Sequence, residues 1–136
     1  MAKEKIKNYT YAAGRRREAS ARVRLFKGSE ESTVNGIVIG KYFSNPNSKA
    51  VWGKPFELTS TTGKYYITAK VAGGGIHGQL EALVHGISRA LVALDKEKNR
   101  TVLKKAGFLT RDSRTRQRRM VGTGGKARRA KQSPKR

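Results

Sequence analysis

A glycine-rich segment, residues 71–87 (VAGGGIHGQLEALVHGI), is the part of this chain whose residue types and spacing most resemble a site for chemistry. Gly73, Gly75 and Gly78 have the Gly-x-Gly-x-x-Gly spacing of a dinucleotide-binding loop, and Asp95 lies about where a ribose-binding acid is expected. That loop belongs to a βαβ unit, yet no buried strand precedes Asp95. Because no Lys-Ser or Lys-Thr follows the glycines, a Walker phosphate loop is excluded as well.

Two other interpretations of the glycines remain open. In the first, Gly73, Gly74 and Gly75 let the backbone turn sharply from a strand into a helix and approach another part of the chain closely. In the second, the exposed amides at the start of that helix bind a phosphate, which could belong to RNA. Both interpretations require a strand that ends before the glycines and a helix that begins just after them.

The other residues that could do chemistry are not arranged for it. His77 and His85 lie eight residues apart with no carboxylate at metal-ligand spacing beside them, so we expect surface or packing roles. Ser88 and His85 do not form a recognised nucleophile–base pair, and the nine Asp and Glu residues are scattered. The chain has no cysteine, which excludes disulfides and thiolate zinc sites and is compatible with a reducing compartment. We therefore expect no catalytic residue, no metal and no cofactor.

The charge of the chain indicates its partner. Thirty-one Lys and Arg residues against nine acids give a formal net charge of +22. Such a density of like charge destabilises a folded state unless a polyanion neutralises it, and nucleic acid does so by releasing counterions. An anionic membrane would require a basic amphipathic helix, which the sequence does not contain. With neither a signal peptide nor a membrane span in the sequence, we expect a soluble, cytoplasmic protein.

Hydrophobic periodicity predicts the elements that position these residues. Residues 18–26 alternate as a half-buried strand with Arg22 and Arg24 on its open side, and residues 63–72 alternate in the same way. Asn35-Gly36 between short β-branched runs predicts a tight hairpin. The apolar stripe after the glycines predicts a long helix that packs on the sheet; its members are Leu80, Leu83, Val84, Ile87, Leu91 and Leu94.

The remaining body of the chain is less regular. Residues 41–58 mix aromatic residues with two prolines, and we interpret them as a loop with one or two helical turns. Residues 96–106 are typical of a shorter helix that ends at Gly107. We expect one globular α+β domain over residues 1–110.

The composition changes abruptly after that point, where residues 111–136 hold eleven basic residues and one acid, Asp112. We expect a basic tail, because such a segment cannot bury enough apolar surface to offset its ordering entropy. Its start, residues 111–119, alternates as an edge strand would, with Arg114, Arg116 and Arg118 on one side. Seventeen extended residues, 120–136, can reach roughly 55 Å from the body.

Two tyrosines precede the basic run at residues 14–17 (GRRR) and have two open interpretations. Tyr9 and Tyr11 could stack on nucleic-acid bases beside the arginines. They could instead serve ordinary packing in the core or at a sheet edge.

The sequence as a whole resembles the bacterial type of small-subunit ribosomal protein nine. The segments GRRREASARVRL, VNG, GGGIHGQLEALVHGISRAL, LKKAGFLTRDSR and KARR…KR occur in the order seen in that family. The resemblance implies an α+β fold, with a β-sheet backed by helices and a left-handed βαβ crossover, and an extended C-terminal tail. It also implies a place in the head of the small subunit among neighbouring head proteins, binding to ribosomal RNA, and contact of the tail with tRNA in the peptidyl site.

The resemblance also implies which residues bind RNA. Lys135 and Arg136 match the terminal pair that meets tRNA. Just before them the chain departs from the family, with Lys131, Ser133 and Pro134 where Pro, Phe and Ser are common, so the path of these residues is not implied. The residues expected to contact ribosomal RNA are Arg15, Arg16, Arg17, Arg22, Arg24, Gly73, Gly74, Gly75, Arg111, Arg114, Arg118, Arg119, Lys126, Arg128 and Arg129.

Three functions follow from these observations. The leading hypothesis is a structural protein of the small ribosomal subunit that clamps ribosomal RNA and supports tRNA, with no membrane and no small-molecule substrate among its partners. The second is a free-standing nucleic-acid compactor of the histone-like kind. The third is an enzyme that uses the glycine loop to bind a nucleotide.

Overall fold

A five-stranded mixed sheet backed by helices forms the body of the protein. The computed structural model describes residues 8–121. The strand order is β1-β2-β5-β3-β4, with all neighbours antiparallel except β3 and β5, which are parallel. The elements are β1 (Tyr9–Arg16), β2 (Ala19–Lys27), β3 (Thr33–Val34), β4 (Ile37–Val38), α1 (Ile39–Tyr42), α2 (Ser48–Leu58), β5 (Tyr65–Ala72), α3 (Ile76–Leu94) and α4 (Lys96–Lys105).

The parallel pair of β3 and β5 forms a βαβ crossover. The left-handedness that the resemblance implies stays a prediction. The chain leaves β3, passes through β4, α1 and α2, and returns beside β3 as β5, which makes a βαβ unit. The α+β fold class is therefore confirmed.

Alternation correctly predicts the central strands. In β2, Ala21 and Val23 are buried while Arg22 and Arg24 are exposed, and β5 buries Ile67 in the same alternating manner. Because the side-chain period of a strand is two residues, this pattern assigns each strand a core face and an open face.

The Asn35-Gly36 turn joins β3 and β4 as predicted. Both residues have positive φ, at 53° and 80°, which is typical of the tight two-residue turns of hairpins. The Asn35 side chain also donates to the carbonyl oxygen of Val71 and accepts from its N–H, each at 2.9 Å. These two bonds hold the hairpin in register with β5.

Helix α3 lies across the core face of β1 and β2. Gly14 of β1 faces Gly86 of α3, and a Cβ on Gly14 would collide with the carbonyl oxygen of Ala82. The absence of side chains here allows the helix backbone to approach the strand closely. The predicted apolar stripe is confirmed except at its C-terminal end, since Leu94 is exposed.

Helix α4 begins where predicted and ends at Lys105, one residue earlier than predicted. The side chain of Asp95 accepts from the N–H of Lys98 at 3.3 Å and caps the N-terminus. At the C-terminus Gly107 has φ 81°, and its N–H donates to the carbonyl of Lys104 while Phe108 N–H donates to Leu103. This is the Schellman arrangement, which satisfies carbonyls that the helix leaves free.

Two local predictions are wrong. Residues 41–58 are mostly helical, because α2 has eleven residues and buries Pro55 and Phe56 against the core. Packing of those side chains outweighs the cost of a proline inside the helix. Residues 111–119 form no strand. Instead, Asp112 Oδ1 accepts from the N–H of Arg114 at 3.1 Å, a turn that interrupts extended backbone.

Candidate nucleic-acid interface

The sheet presents one open face, on the side opposite the helices. Strand pairing places the outward side chains in rows that run from β1 through β2 to β5. Residues directly opposite in antiparallel strands share a face and lie about 5 Å apart. The four rows are Tyr9/Phe26/Tyr66, Tyr11/Arg24/Thr68, Ala13/Arg22/Lys70 and Arg15/Ser20/Ala72.

Four cations crowd this open face, namely Arg15, Arg22, Arg24 and Lys70, and all four are exposed. Arg22 lies directly opposite Lys70 on the neighbouring strand, a like-charge pair that destabilises a sheet in the absence of an anion. No ion pair within residues 8–121 involves any of the four. The face therefore has uncompensated positive charge that a phosphate backbone could neutralise.

An aromatic cluster forms one end of the same face. The rings of Tyr9 and Phe26 lie 5.4 Å apart, and those of Phe26 and Tyr66 are stacked at 5.1 Å. Arg24 lies over the Tyr9 ring, with its Cζ atom 5.1 Å from the ring centroid. Burial and the nearby carboxylate of Glu30 raise the pKa of Tyr66, so the tyrosine stays neutral.

The two tyrosines of β1 have different surroundings in the structure. Tyr9 packs in the aromatic cluster, as the packing interpretation requires. Tyr11 is 53% exposed, and no other ring or cation of the described chain stacks on it.

Arg16 differs from the other arginines of the basic run because its side chain is only 8% exposed. Its Nε donates to Glu81 Oε2 at 2.6 Å, its Nη2 lies 3.3 Å from Asp112 Oδ2, and its Nη1 donates to the carbonyl of Arg114 at 2.7 Å. These partners come from α3 and from the segment after α4. The Arg16 guanidinium is thus paired within the protein, and its contacts join the C-terminal segment to the body. RNA contact by Arg16 stays a prediction.

The glycine loop packs against the turn between β1 and β2. A Cβ on Gly73 would lie 2.5 Å from the carbonyl oxygen of Glu18, and one on Gly74 would lie 3.1 Å from Ala19 Cβ. Both glycines also have positive φ, 77° and 60°. The close-approach interpretation is therefore confirmed. Gly75 caps α3 without a side-chain hydrogen bond and is exposed, so phosphate binding there stays a prediction.

Side chains from α3 cover part of the free edge of β1. The N–H of Arg15 donates to His85 Nδ1 at 3.4 Å, and Arg89 Nη1 donates to the carbonyl of Ala13 at 2.7 Å. Burial, together with the charges of Arg89 and Arg111, outweighs a hydrogen bond to the Leu109 backbone and lowers the pKa of His85, so the ring stays a neutral acceptor. Ser88 instead donates to Val84, so it forms no catalytic pair with His85.

The other residues predicted to contact RNA lie at the β1–β2 turn and in the segment that follows α4. Arg17 is exposed at the β1–β2 turn with φ 54°. Arg111, Arg118 and Arg119 are exposed, and Arg114 is exposed while it pairs with Asp112 at 2.8 Å. The remaining predicted contacts lie outside the described residues; they are Lys126, Arg128, Arg129, Lys135 and Arg136.

Sequence reasoning omitted Lys70 from the site, although the alternation of its strand already placed it on the open side. It also omitted Glu81, for which no local signal exists, since its partner Arg16 is 65 residues away in the chain.

Within residues 8–121, no three His, Cys, Asp or Glu side chains are grouped so that they could hold a metal ion. In the same part of the chain, no helix has the length and hydrophobicity needed to span a membrane.

Comparison with known proteins assigns the family. A family model described as "Ribosomal protein S9/S16" matches residues 14–136. A protein of Maridesulfovibrio salexigens named "Small ribosomal subunit protein uS9" is 45% identical over 119 residues, which cover 88% of this chain and 91% of the relative. Proteins of the same name are 47% identical in Leifsonia xyli, covering 92% of this chain and 74% of the relative, and 48% identical in Anaeromyxobacter sp. strain K, covering 82% and 85%.

These matches decide between the three functions that the sequence suggested. They extend over the glycine loop, the helices and the basic C-terminal residues together. The nucleotide-dependent enzyme and the free-standing compactor are therefore rejected, and the chain belongs to the ribosomal protein S9/S16 family.

Proposed function

We propose that this structural constituent of the small ribosomal subunit holds ribosomal RNA on the open face of its sheet and along its basic C-terminal segment, and that its last residues contact tRNA in the peptidyl site. In this proposal the globular domain comprises residues 1–110 and the tail residues 111–136. As a subunit protein it works in the cytoplasm, beside other proteins of the subunit head.

The observation that carries the proposal is the set of uncompensated cations on the open face. Arg22 and Lys70 are placed opposite each other, where only an anion between them removes their repulsion. Arg24 and Arg15 extend the charge along the strands on either side. Binding through phosphates would position the RNA without selecting its sequence.

The tail continues the same chemistry away from the body. From Arg111 onward basic residues greatly outnumber the single acid, Asp112. Arg16 holds Asp112 and Arg114, so the basic segment leaves the body from a fixed point. We assign Arg111, Arg114, Arg118, Arg119, Lys126, Arg128 and Arg129 to ribosomal RNA, and Lys135 and Arg136 to tRNA.

The start of α3 supplies a further proposed contact. The helix has nineteen residues, and its first backbone N–H groups follow Gly75, which provides no capping side chain. The partial positive charge of a helix N-terminus favours an RNA phosphate at Gly73–Gly75. Arg17 is exposed at the turn on which these glycines pack, so it could share that phosphate.

The proposal is tested by the salt dependence of RNA binding. The full-length protein is titrated with transcribed small-subunit RNA between 50 and 300 mM KCl, as wild type and as Arg22→Ala/Arg24→Ala. If both side chains meet phosphates, the slope of log K against log salt becomes shallower by roughly 0.7–0.9 per lost contact. The matched control is Arg100→Ala/Lys104→Ala, which removes the same charge from the exposed side of α4.

An unchanged slope for the Arg22/Arg24 variant would contradict the assignment of the open face. An equal loss in the α4 control would also contradict it, because net charge rather than the placement of the cations would then govern binding.

Deleting Lys135 and Arg136 tests the tRNA contact separately. Assembly should be preserved while tRNA in the peptidyl site binds more weakly.

A further inference from the structure

One row of the open face combines an exposed aromatic ring with a cation and a hydroxyl. Tyr11, Arg24 and Thr68 lie side by side on β1, β2 and β5. The ring of Tyr11 is more than half exposed, although exposed aromatic surface is costly in water. The neighbouring ring of Tyr9 avoids that cost by packing on Phe26.

The surroundings of Tyr11 favour a nucleotide over an apolar partner. The next row along the strands holds Arg22 and Lys70. Arg24 is paired with Tyr11 on the neighbouring strand, and its guanidinium lies over the adjacent ring of Tyr9. An apolar protein segment laid here would have to desolvate these cations without pairing them. A nucleotide has a flat base for the ring and a phosphate for the cations.

The edge position of Tyr11 leaves room for such a base. Strand β1 is the outermost strand of the sheet, so one side of the ring faces open space. The two hydrogen bonds that α3 side chains make to the strand edge are at Ala13 and Arg15, the next outward residues, and neither involves Tyr11.

We propose that the open face binds an unpaired segment of RNA, with one base stacked on the Tyr11 ring and the adjacent phosphates held by Arg22, Arg24 and Lys70. This inference rests on the proposed function and adds the kind of RNA that the face selects. In paired RNA the base faces are stacked within the duplex, so only the phosphates could engage the sheet. Tyr11 is then the residue that distinguishes unpaired from paired RNA.

The test compares two RNA probes of equal length with the full chain. One is a dye-labelled 12-nucleotide oligouridylate, which remains unpaired, and the other is a 12-base-pair RNA duplex. Fluorescence anisotropy measures both affinities for wild type, Tyr11→Thr and Tyr11→Phe. Threonine removes the ring but retains a high preference for strands, and circular dichroism verifies that each variant is folded.

Loss of one stacked base corresponds to a weakening of between about 5-fold and 100-fold. We expect Tyr11→Thr to weaken oligouridylate binding within that range and duplex binding by less than about twofold. Tyr11→Phe should retain wild-type affinity for both probes, because stacking needs the ring and not the hydroxyl. Photocrosslinking with an oligouridylate that contains 5-iodouridine should place the crosslink on Tyr11.

The outcomes separate this inference from the proposed function. If Arg22→Ala/Arg24→Ala weakens both probes while Tyr11→Thr changes neither, RNA binding by the open face stands and the stacking inference is wrong. An equal effect of Tyr11→Thr on both probes would also overturn it, since discrimination would be absent. If the arginine variant changes neither probe, the proposed function itself fails.

Discussion

The guanidinium of Arg16 and the carboxylate of Asp112 lie 3.3 Å apart and join the first strand to the segment that follows the last helix. Arg16 is buried beneath this contact and also donates to Glu81 on α3. A buried arginine that lost these partners would keep an uncompensated charge, so the three groups stabilise one another. The base of the tail is therefore attached to the body by contacts within the protein itself.

This attachment predicts a stability difference between adjacent arginines. Replacing Arg16 with Met should lower the free energy of unfolding by about 1.5 kcal/mol, the lower end for hydrogen bonds to charged groups, because its carboxylate partners are partly solvated. Replacing the exposed Arg15 with Met should change it by less than about 0.5 kcal/mol. Urea denaturation measures both variants. Equal effects would show that Arg16 does not anchor the segment.

The same contact predicts a release of the tail base at low pH. Hydrogen bonds from Arg114, with smaller contributions from the charges of Arg114 and Arg16, hold the pKa of Asp112 well below its usual range. Because the folded pKa is depressed, the stabilisation is complete above the ordinary carboxyl pKa near 4 and is lost as the pH falls toward the folded value.

Hydrogen exchange at the amide of Arg114, which donates to Asp112, measures that release. We expect protection near neutral pH that declines only in strong acid, after correction for the intrinsic exchange rate. Asp112→Asn should show weak protection that does not vary with pH. Wild-type protection that does not change on acidification would contradict the role of Asp112.

His85 predicts a second, milder pH dependence. Burial lowers its pKa, and the neutral ring accepts a hydrogen bond from the N–H of Arg15. The contribution of His85 to stability is therefore fully present above about pH 6.5, the ordinary histidine pKa, and is lost as the pH falls below that value toward the lowered pKa of the folded state. Comparing denaturant midpoints at pH 7.5 and 5.5 tests this, with His85→Gln as the variant that should lose most of the difference. A wild-type midpoint higher at pH 5.5 would contradict the sign.

The close approach of strand and helix predicts a large effect at Gly14. An alanine there would place its Cβ against the backbone of Ala82 and Gly86, which cannot move aside as a side chain could. We expect Gly14→Ala to lower the free energy of unfolding by about 3 kcal/mol or more. Gly53→Ala is the control, because a Cβ at Gly53 meets nothing within 4 Å and alanine favours its helix by up to about 1 kcal/mol. Thermal unfolding of both variants gives the comparison, and a folded, fully stable Gly14→Ala protein would show that the packing is looser than described.

The parts of the fold that sequence could predict are those with a local signal. Alternation around Val23 and Ile67 predicts β2 and β5, and the Asn35-Gly36 pair predicts the hairpin, because each signal acts through neighbours in the chain. Strand β1 (Tyr9–Arg16) is not predicted from the sequence. The sequence underestimates the length of helix α2, because Pro55 disfavours a helix locally. Only packing against residues distant in the chain compensates for the cost of that proline.

The candidate site likewise contains residues whose positions follow from a local sequence signal and residues whose positions depend on distant contacts. The outward position of Arg22 and Arg24 follows from alternation alone, and so does that of Lys70. The burial of Arg16 does not follow from composition, since its partners lie 65 and 96 positions away in the chain. Alternation along β1 gives a weak signal for this burial. The small residues Ala12 and Gly14 lie on the inward face of the strand, and Arg16 is the next residue on that face.

We propose that the open face of the sheet binds RNA, and an electron cryomicroscopy structure of small subunits that contain this chain would show it. We expect RNA phosphates within hydrogen-bonding distance of the Arg22 and Arg24 guanidinium groups, with no protein between these groups and the RNA. A face that is open to solvent, or covered by another protein, would contradict it.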